Sequence, residues 1–180
     1  MIGKEAQAEF LLEAMPYIEK YQNKILVVKY GGNAMTDDGL KQLVMRDMTL
    51  LRFVGIKVVL VHGGGPEISQ TLKRMGIESR FVGGLRYTDE ETAEVVRMVL
   101  AGKVNKSLVH MLGAMGARAI GISGIDGNLL KCSKESEELG FVGKIDRVDT
   151  HILTSCLDAG YLPVVSTVGY DDDGNIYNVN

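Results

Sequence analysis

Twice in this chain a short run of branched aliphatic residues stops at a cluster of glycines. The first is Ile25-Leu26-Val27-Val28-Lys29-Tyr30-Gly31-Gly32-Asn33, the second Val58-Val59-Leu60-Val61-His62-Gly63-Gly64-Gly65-Pro66. Short runs of this kind predict strands of a parallel sheet, buried on both faces. An amphipathic segment follows each, so both turns are expected at a strand's C-terminal end, opening towards a helix. Helix N-termini carry unpaired N–H groups and the positive end of the helix dipole, and glycine lets an anion approach them closely. Lys29 adds a full positive charge at the mouth of the same sheet. Two such turns side by side predict a site that holds phosphate or another moving negative charge.

The rival glycine motifs do not fit. The pattern G-x-x-x-x-G-K-[ST] does not occur, and after Gly63 and Gly65 the third position of G-x-G-x-x-G holds Ile68. His62-Gly63-Gly64-Gly65 matches the oxyanion-hole turn of lipases and esterases, but Gly121-Ile122-Ser123-Gly124-Ile125 lacks the last glycine of a nucleophile elbow. The remaining alternative is that the glycines are only tight strand-to-helix turns.

Along the chain, residues 5–21 read as a helix with Phe10, Leu11, Ala14, Met15, Ile18 and Tyr21 in one apolar stripe, kinked near Pro16. It precedes the first sheet strand and has no place in the β-α alternation, so it either packs on its own domain or serves as an extension. A helix over 39–54 presents Leu40, Leu43, Val44, Met48 and Leu51 inward. Strand 57–61 and helix 66–75 follow. Residues 81–86 are too glycine-rich for a helix and read as part of a β-hairpin. Two helical stretches, 89–101 and 104–115, are broken near Gly102. Strand 118–122 comes next, then short antiparallel strands within 127–148, helix 149–159, strand 162–165 and a terminal strand. Asp171-Asp172-Asp173-Gly174-Asn175 does not fit the calcium-loop template and reads as a solvated turn. The alternation predicts an α/β fold: a mostly parallel, doubly wound sheet with helices on both faces. Ligands bind such sheets beyond the strands' carboxyl ends, where both glycine turns fall and where Asn178 is brought.

Composition narrows the partners. A net charge of −3 over 180 residues, with no basic cluster, excludes nucleic acid as the main partner. The apolar stretches are too short to cross a bilayer, and the N-terminus has no signal-peptide pattern, which predicts a cytoplasmic protein. Cys132 and Cys156 lack metal-ligand spacing and read as a reduced pair; three scattered histidines give no metal site.

Four segments carry a family resemblance: Lys29-Tyr30-Gly31-Gly32-Asn33-Ala34-Met35, His62-Gly63-Gly64-Gly65-Pro66, Gly84-Leu85-Arg86-Tyr87-Thr88 and Tyr177-Asn178-Val179-Asn180. In order and spacing the chain resembles the N-acetyl-L-glutamate kinases of the amino acid kinase family. The resemblance implies an N-terminal, acetylglutamate-binding half over residues 25–180, with residues 1–24 as a helical extension. The ATP-binding lobe, a second catalytic lysine and an aspartate would lie beyond Asn180, so this chain alone is expected not to turn over. Carbamate, aspartate and uridylate kinases share the fold; Arg86 and Asn178-Val179-Asn180 argue against them. A rival of another class is a non-catalytic assembly or regulatory module.

The reaction so implied is attack of the substrate's γ-carboxylate on the γ-phosphate of ATP, with Mg2+ accompanying the nucleotide. A carboxylate is already ionised at neutral pH, so no general base is needed and catalysis rests on positioning and charge stabilisation. Lys29 would stabilise the transferred charge. Gly31 and Gly32 would offer backbone N–H groups to phosphoryl oxygens, and Gly64 and Gly65 would contact acetylglutamate. Arg86 would clamp the α-carboxylate with its planar fork, and Asn178 would hydrogen-bond the α-carboxylate or acetamido group. Arginine-inhibited members of the family carry a kinked N-terminal helix that interlaces dimers into a hexamer. By that resemblance residues 5–21 form the homo-oligomer contact, arginine is a feedback inhibitor, and Tyr17 is a candidate effector contact.

Overall fold

The computed structural model describes residues 3–179, the side chain of Asn33 excepted; Asn180, in the last of the quoted motifs, lies outside the described residues. In chain order the elements are α1 (Lys4–Tyr21), β1 (Ile25–Tyr30), α2 (Asp38–Phe53), β2 (Lys57–His62), α3 (Gly65–Met75), β3 (Phe81–Val82) and β4 (Leu85–Arg86). There follow α4 (Glu90–Arg97), a π-helical segment (Met98–Val104), α5 (Asn105–Ala114), β5 (Ala119–Ser123), β6 (Leu130–Lys134) and β7 (Gly143–Val148). The chain finishes with α6 (His151–Asp158), β8 (Leu162–Ser166), β9 (Val168–Tyr170) and β10 (Ile176–Asn178). Local chemistry sets several of these boundaries. Asp37 accepts from Leu40 N at 2.9 Å and Asp89 from Thr92 N at 2.8 Å, capping α2 and α4. Gly76, at φ 76°, ends α3 in the left-handed conformation.

The main sheet has the order β1-β2-β8-β5 and is wholly parallel. Met45, Leu60, Leu72, Leu108, Leu112 and Val164 form the core on one face, under α2, α3 and α5. On the other face α6 closes a second cluster of Val59, Ile122, Leu157 and Val165. The doubly wound α/β fold is therefore present as expected. A second four-stranded sheet, β10-β9-β6-β7, incorporates the short strands of 127–148 and carries β10 to the main sheet's carboxyl edge, where Val179 N donates to Thr167 O at 3.1 Å.

Four local expectations change. β1 is an edge strand, and Ile25, Leu26 and Val27 are exposed rather than covered on both faces. The expected inward face of α2 holds in part: Met48 is buried and Val44 and Leu51 pack against the core, but Leu40 and Leu43 are exposed, and Met45 and Thr49 are buried instead. The helix over 90–114 is not broken at Gly102. It passes through the π segment, absorbing extra chain while its backbone stays right-handed helical at Arg97 and Asn105. Finally, α1 continues through Pro16 as one helix and buries no residue; Phe10, Leu11, Leu12, Met15 and Tyr17 are all exposed.

Candidate active site

Two strand ends and a hairpin enclose one cavity of about 370 Å³ at the carboxyl edge of the parallel sheet, lined among others by Lys29, Gly31, Gly32, Gly64, Gly65, Arg86 and Asn178. Every residue expected at the site, except Tyr17, thus meets at one place. Tyr17 is exposed on α1 and does not line the cavity.

Lys29 is the penultimate residue of β1 and pairs in register with Val61 of β2, one residue before the pair Tyr30–His62. Its side chain is exposed and folds back over the first turn, where a Cβ on Gly31 would lie 3.4 Å from its Nζ. Gly32 has φ 63° and opens a short 3-10 turn over Gly32–Met35, a conformation that favours glycine.

The second turn needs its glycine for a different reason. Gly64 has φ 174°, an extended value open to any residue, but a Cβ there would come within 2.6 Å of Leu100 Cδ2. Gly64 is the N-cap of α3, with Pro66 at the helix start, so the unpaired N–H groups of the first turn border the cavity.

Arg86 arrives on the β3–β4 hairpin, whose two-residue turn has Gly83 at φ 58° and Gly84 at φ 84°, the left-handed pair a tight hairpin needs. The guanidinium is 4% exposed and stands over the Phe81 ring, 4.7 Å from its centroid. Its Nη2 donates to Ser69 Oγ at 2.8 Å and Gly65 O at 3.2 Å, and Nη1 donates to Ser79 Oγ. All of these acceptors are neutral. Among the described residues no carboxylate lies within ion-pair distance of Arg86. Burial pushes its pKa below the ordinary arginine value, with nothing opposing. An arginine stays charged in proteins, so this buried cation has no counter-ion among the described residues and faces a cavity.

Asn178 is 5% exposed at the end of β10, where its N–H donates to Phe141 O at 2.9 Å. The turn before it is organised by Asp171, which accepts from Asp173 N at 2.9 Å, from Asn175 N at 2.8 Å and from Tyr177 OH at 2.8 Å. Among the described residues no cluster of three or more His, Cys, Asp or Glu side chains is arranged to hold a metal ion, and no helix is long and apolar enough to cross a membrane.

Three participants had no distinct sequence signal. Ser69 and Ser79, which seat Arg86, are ordinary polar residues on α3 and in the loop after it. Asn105 is fully buried and hydrogen-bonds His62, one residue before the glycines of the second turn. An asparagine in an otherwise apolar helical face was the available hint.

A parallel sheet whose carboxyl edge gathers two glycine turns and a hairpin arginine around one cavity defines a doubly wound α/β protein with its cleft at the strand ends. The chain belongs to the amino acid kinase family, whose model matches residues 24–180. It is 55% identical to the acetylglutamate kinase of Clostridioides difficile over 97% of this chain and 61% of that one. To the acetylglutamate kinase of Caldanaerobacter subterraneus it is 54% identical, over 97% of this chain and 59% of that one. The chain thus spans about three-fifths of the length of these curated relatives. Among solved structures, N-acetylglutamate synthase from Neisseria gonorrhoeae complexed with coenzyme A and N-acetyl-glutamate superposes with a TM-score of 0.78. It is 24% identical, over 96% of this chain and 40% of that one, and shares the fold. The carbamate kinase of Giardia superposes with a TM-score of 0.57 at 12% identity, over 88% and 67% of the two chains.

Proposed function

We propose that this chain is the acetylglutamate-binding part of an acetylglutamate kinase, a phosphotransferase of arginine biosynthesis working in the cytoplasm. The observation that carries the reading is Arg86: a buried, anchored guanidinium with no counter-ion among the described residues, lining a cavity that glycine N–H groups also border. The 50–55% identity to acetylglutamate kinases, over nearly the whole of this chain, supports the same substrate.

In this reading Arg86 receives the α-carboxylate, and Asn178 hydrogen-bonds the same carboxylate or the acetamido group. Gly64 and Gly65 direct N–H groups at the reacting end of acetylglutamate. Gly31 and Gly32 do the same for the phosphoryl oxygens of ATP. One γ-carboxylate oxygen forms a bond to the γ-phosphorus as the bond to the β–γ bridging oxygen breaks, and ADP leaves with the electron pair. The ammonium of Lys29 offsets the charge that spreads over the transferred group. Mg2+ comes with the nucleotide, held by phosphate oxygens. The exposed apolar stripe of α1 is the contact to a second copy, assembling dimers into a hexamer, with arginine as feedback inhibitor and Tyr17 as its contact on this helix.

Arg86→Lys is the test. It keeps the charge and loses the fork, so the acetylglutamate dissociation constant, measured by calorimetry, should rise at least about tenfold, or roughly 1.4 kcal/mol. Unchanged affinity would remove Arg86 from the substrate site and the reading with it.

A further inference from the structure

His62 closes β2 immediately before the glycines, fully buried, and its two ring nitrogens are engaged in opposite senses. Nδ1 lies 2.8 Å from Gly63 O, which can only accept, so Nδ1 carries the proton. Nε2 lies 3.1 Å from Asn105 Nδ2. The amide's orientation is itself determined by its neighbours. Nδ2 also faces Val164 O at 2.9 Å and Ile122 O at 3.2 Å, both acceptors, while Oδ1 accepts from Lys106 Nζ at 3.1 Å. Asn105 therefore turns its NH2 group, two protons shared among three acceptors, towards Nε2, and the ring is neutral with its proton on Nδ1. An imidazolium would set an Nε2–H against the Asn105 NH2 group.

Asn105 reaches this place because the sheet makes room for it. At Gly121 of β5 a Cβ would overlap Asn105 Oδ1 and lie 2.7 Å from Lys106 Nζ. The helix also changes from π to α geometry at Asn105, which sets the residue's angular position over the sheet. One side chain thereby binds groups from β2, β5 and β8.

The consequence lies in the peptide between Gly63 and Gly64. A trans peptide directs its C=O and the following N–H to opposite sides. With the Gly63 carbonyl held by the buried ring, the Gly64 N–H points away from it. We propose that Asn105 is a positioning residue: by holding His62 in the Nδ1–H form it fixes the Gly63 carbonyl and so aims the Gly64 N–H at the bound anion. Asn105 and His62 touch no substrate in this scheme. The assignment of that anion as acetylglutamate rests on the functional reading above; the peptide orientation does not.

The test is nitrogen NMR on this chain, with His62 and Gly64 labelled. In the wild type, the His62 Nδ1 should resonate as protonated and Nε2 as unprotonated. Asn105→Asp puts a carboxylate at Nε2 and should convert the ring to a doubly protonated imidazolium, while Asn105→Ala should release the ring and move the Gly64 amide resonance. A merely space-filling Asn105 would move neither the tautomer nor the charge state. A wild-type ring protonated on Nε2 overturns the proposal without any variant, so a variant that fails to fold does not shield it. A Gly64 amide unmoved in a folded Asn105→Ala overturns it as well. Acetylglutamate titrated into the wild type should shift the Gly64 amide, with about tenfold weaker affinity in Asn105→Ala. A correct tautomer and a responsive Gly64 without any acetylglutamate shift would support the positioning role and refute the substrate.

Discussion

Leu100 and Gly64 interlock: Cδ2 of the leucine occupies the space a Cβ on residue 64 would need, at 2.6 Å. The leucine belongs to the π segment and is fully buried, so it cannot swing into solvent. Gly64→Ala should destabilise the fold by about 1–3 kcal/mol, the range for overpacking a closed core. It should also displace the second glycine turn. In chemical denaturation Gly64→Ala/Leu100→Ala should be less unstable than the sum of the two single variants, because the second change opens the space the first demands. Simple additivity would mean that the two residues do not compete.

Lys29 lines the cavity with its side chain exposed, and the proposed function gives it the transferred charge rather than the substrate's α-carboxylate. In the full-length enzyme, Lys29→Ala should therefore lower kcat by about 10² or more, the scale for losing one preorganised charge donor. The KM for acetylglutamate should change little, since the lysine acts on charge that develops during transfer. Steady-state kinetics with varied acetylglutamate separates the two effects, and near-normal kcat would remove Lys29 from the chemistry.

Burial pushes the pKa of His62 down, with the Gly63 carbonyl acting in the opposite direction. The folded state thus keeps the ring neutral at pH values where the unfolded chain takes up a proton. Stability from this group is complete above the ordinary histidine value of about 6.5 and declines as pH falls towards the folded pKa. The slope reaches at most about 1.4 kcal/mol per pH unit for one proton. Urea unfolding of the wild type and His62→Gln across this range should give a shallower pH dependence for the variant, whatever its absolute stability. Parallel profiles would show that folding leaves the ring's proton affinity unchanged.

For α1 the expectation concerns assembly. Removing residues 1–20 from the full-length protein should reduce a hexamer to a dimer in light scattering and weaken arginine inhibition, while catalysis persists. The helix buries none of its own residues, so its loss should leave the thermal midpoint of the α/β body nearly unchanged. A truncated protein of undiminished mass would show that the stripe meets no second copy.

Much of the architecture was legible because its signals are local. Gly83 and Gly84 between two short runs announce a tight hairpin, and the aliphatic runs ending at Gly31 and Gly63 announce strand ends. Position in the sheet is another matter. Ile25-Leu26-Val27-Val28 and Val58-Val59-Leu60-Val61 read alike, yet one lies at the edge and the other inside, because coverage is decided by elements far along the chain. In α2, Leu40 and Leu43 share the expected stripe with Met48, yet only Met48 is buried and Met45 and Thr49 lie beside it; apolar residues on two adjacent stripes leave periodicity without a unique answer. At the site, Lys29 and the glycines follow from sequence physics, whereas Arg86 and Asn178 entered only through resemblance. Their partners are distant: Ser69 is 17 residues from Arg86, and Asn105 is 43 from His62.

The π segment carries an implication for how this fold can change. Each residue of an α-helix turns the chain by about 100°. A π turn holds about one residue more than the α turn it replaces. Losing one residue within Met98–Val104 should therefore let the segment close to α geometry with α4 and α5 still in phase, whereas gaining one would turn Asn105 away from His62, Ile122 O and Val164 O. The segment should accept the loss of a residue far better than the gain of one.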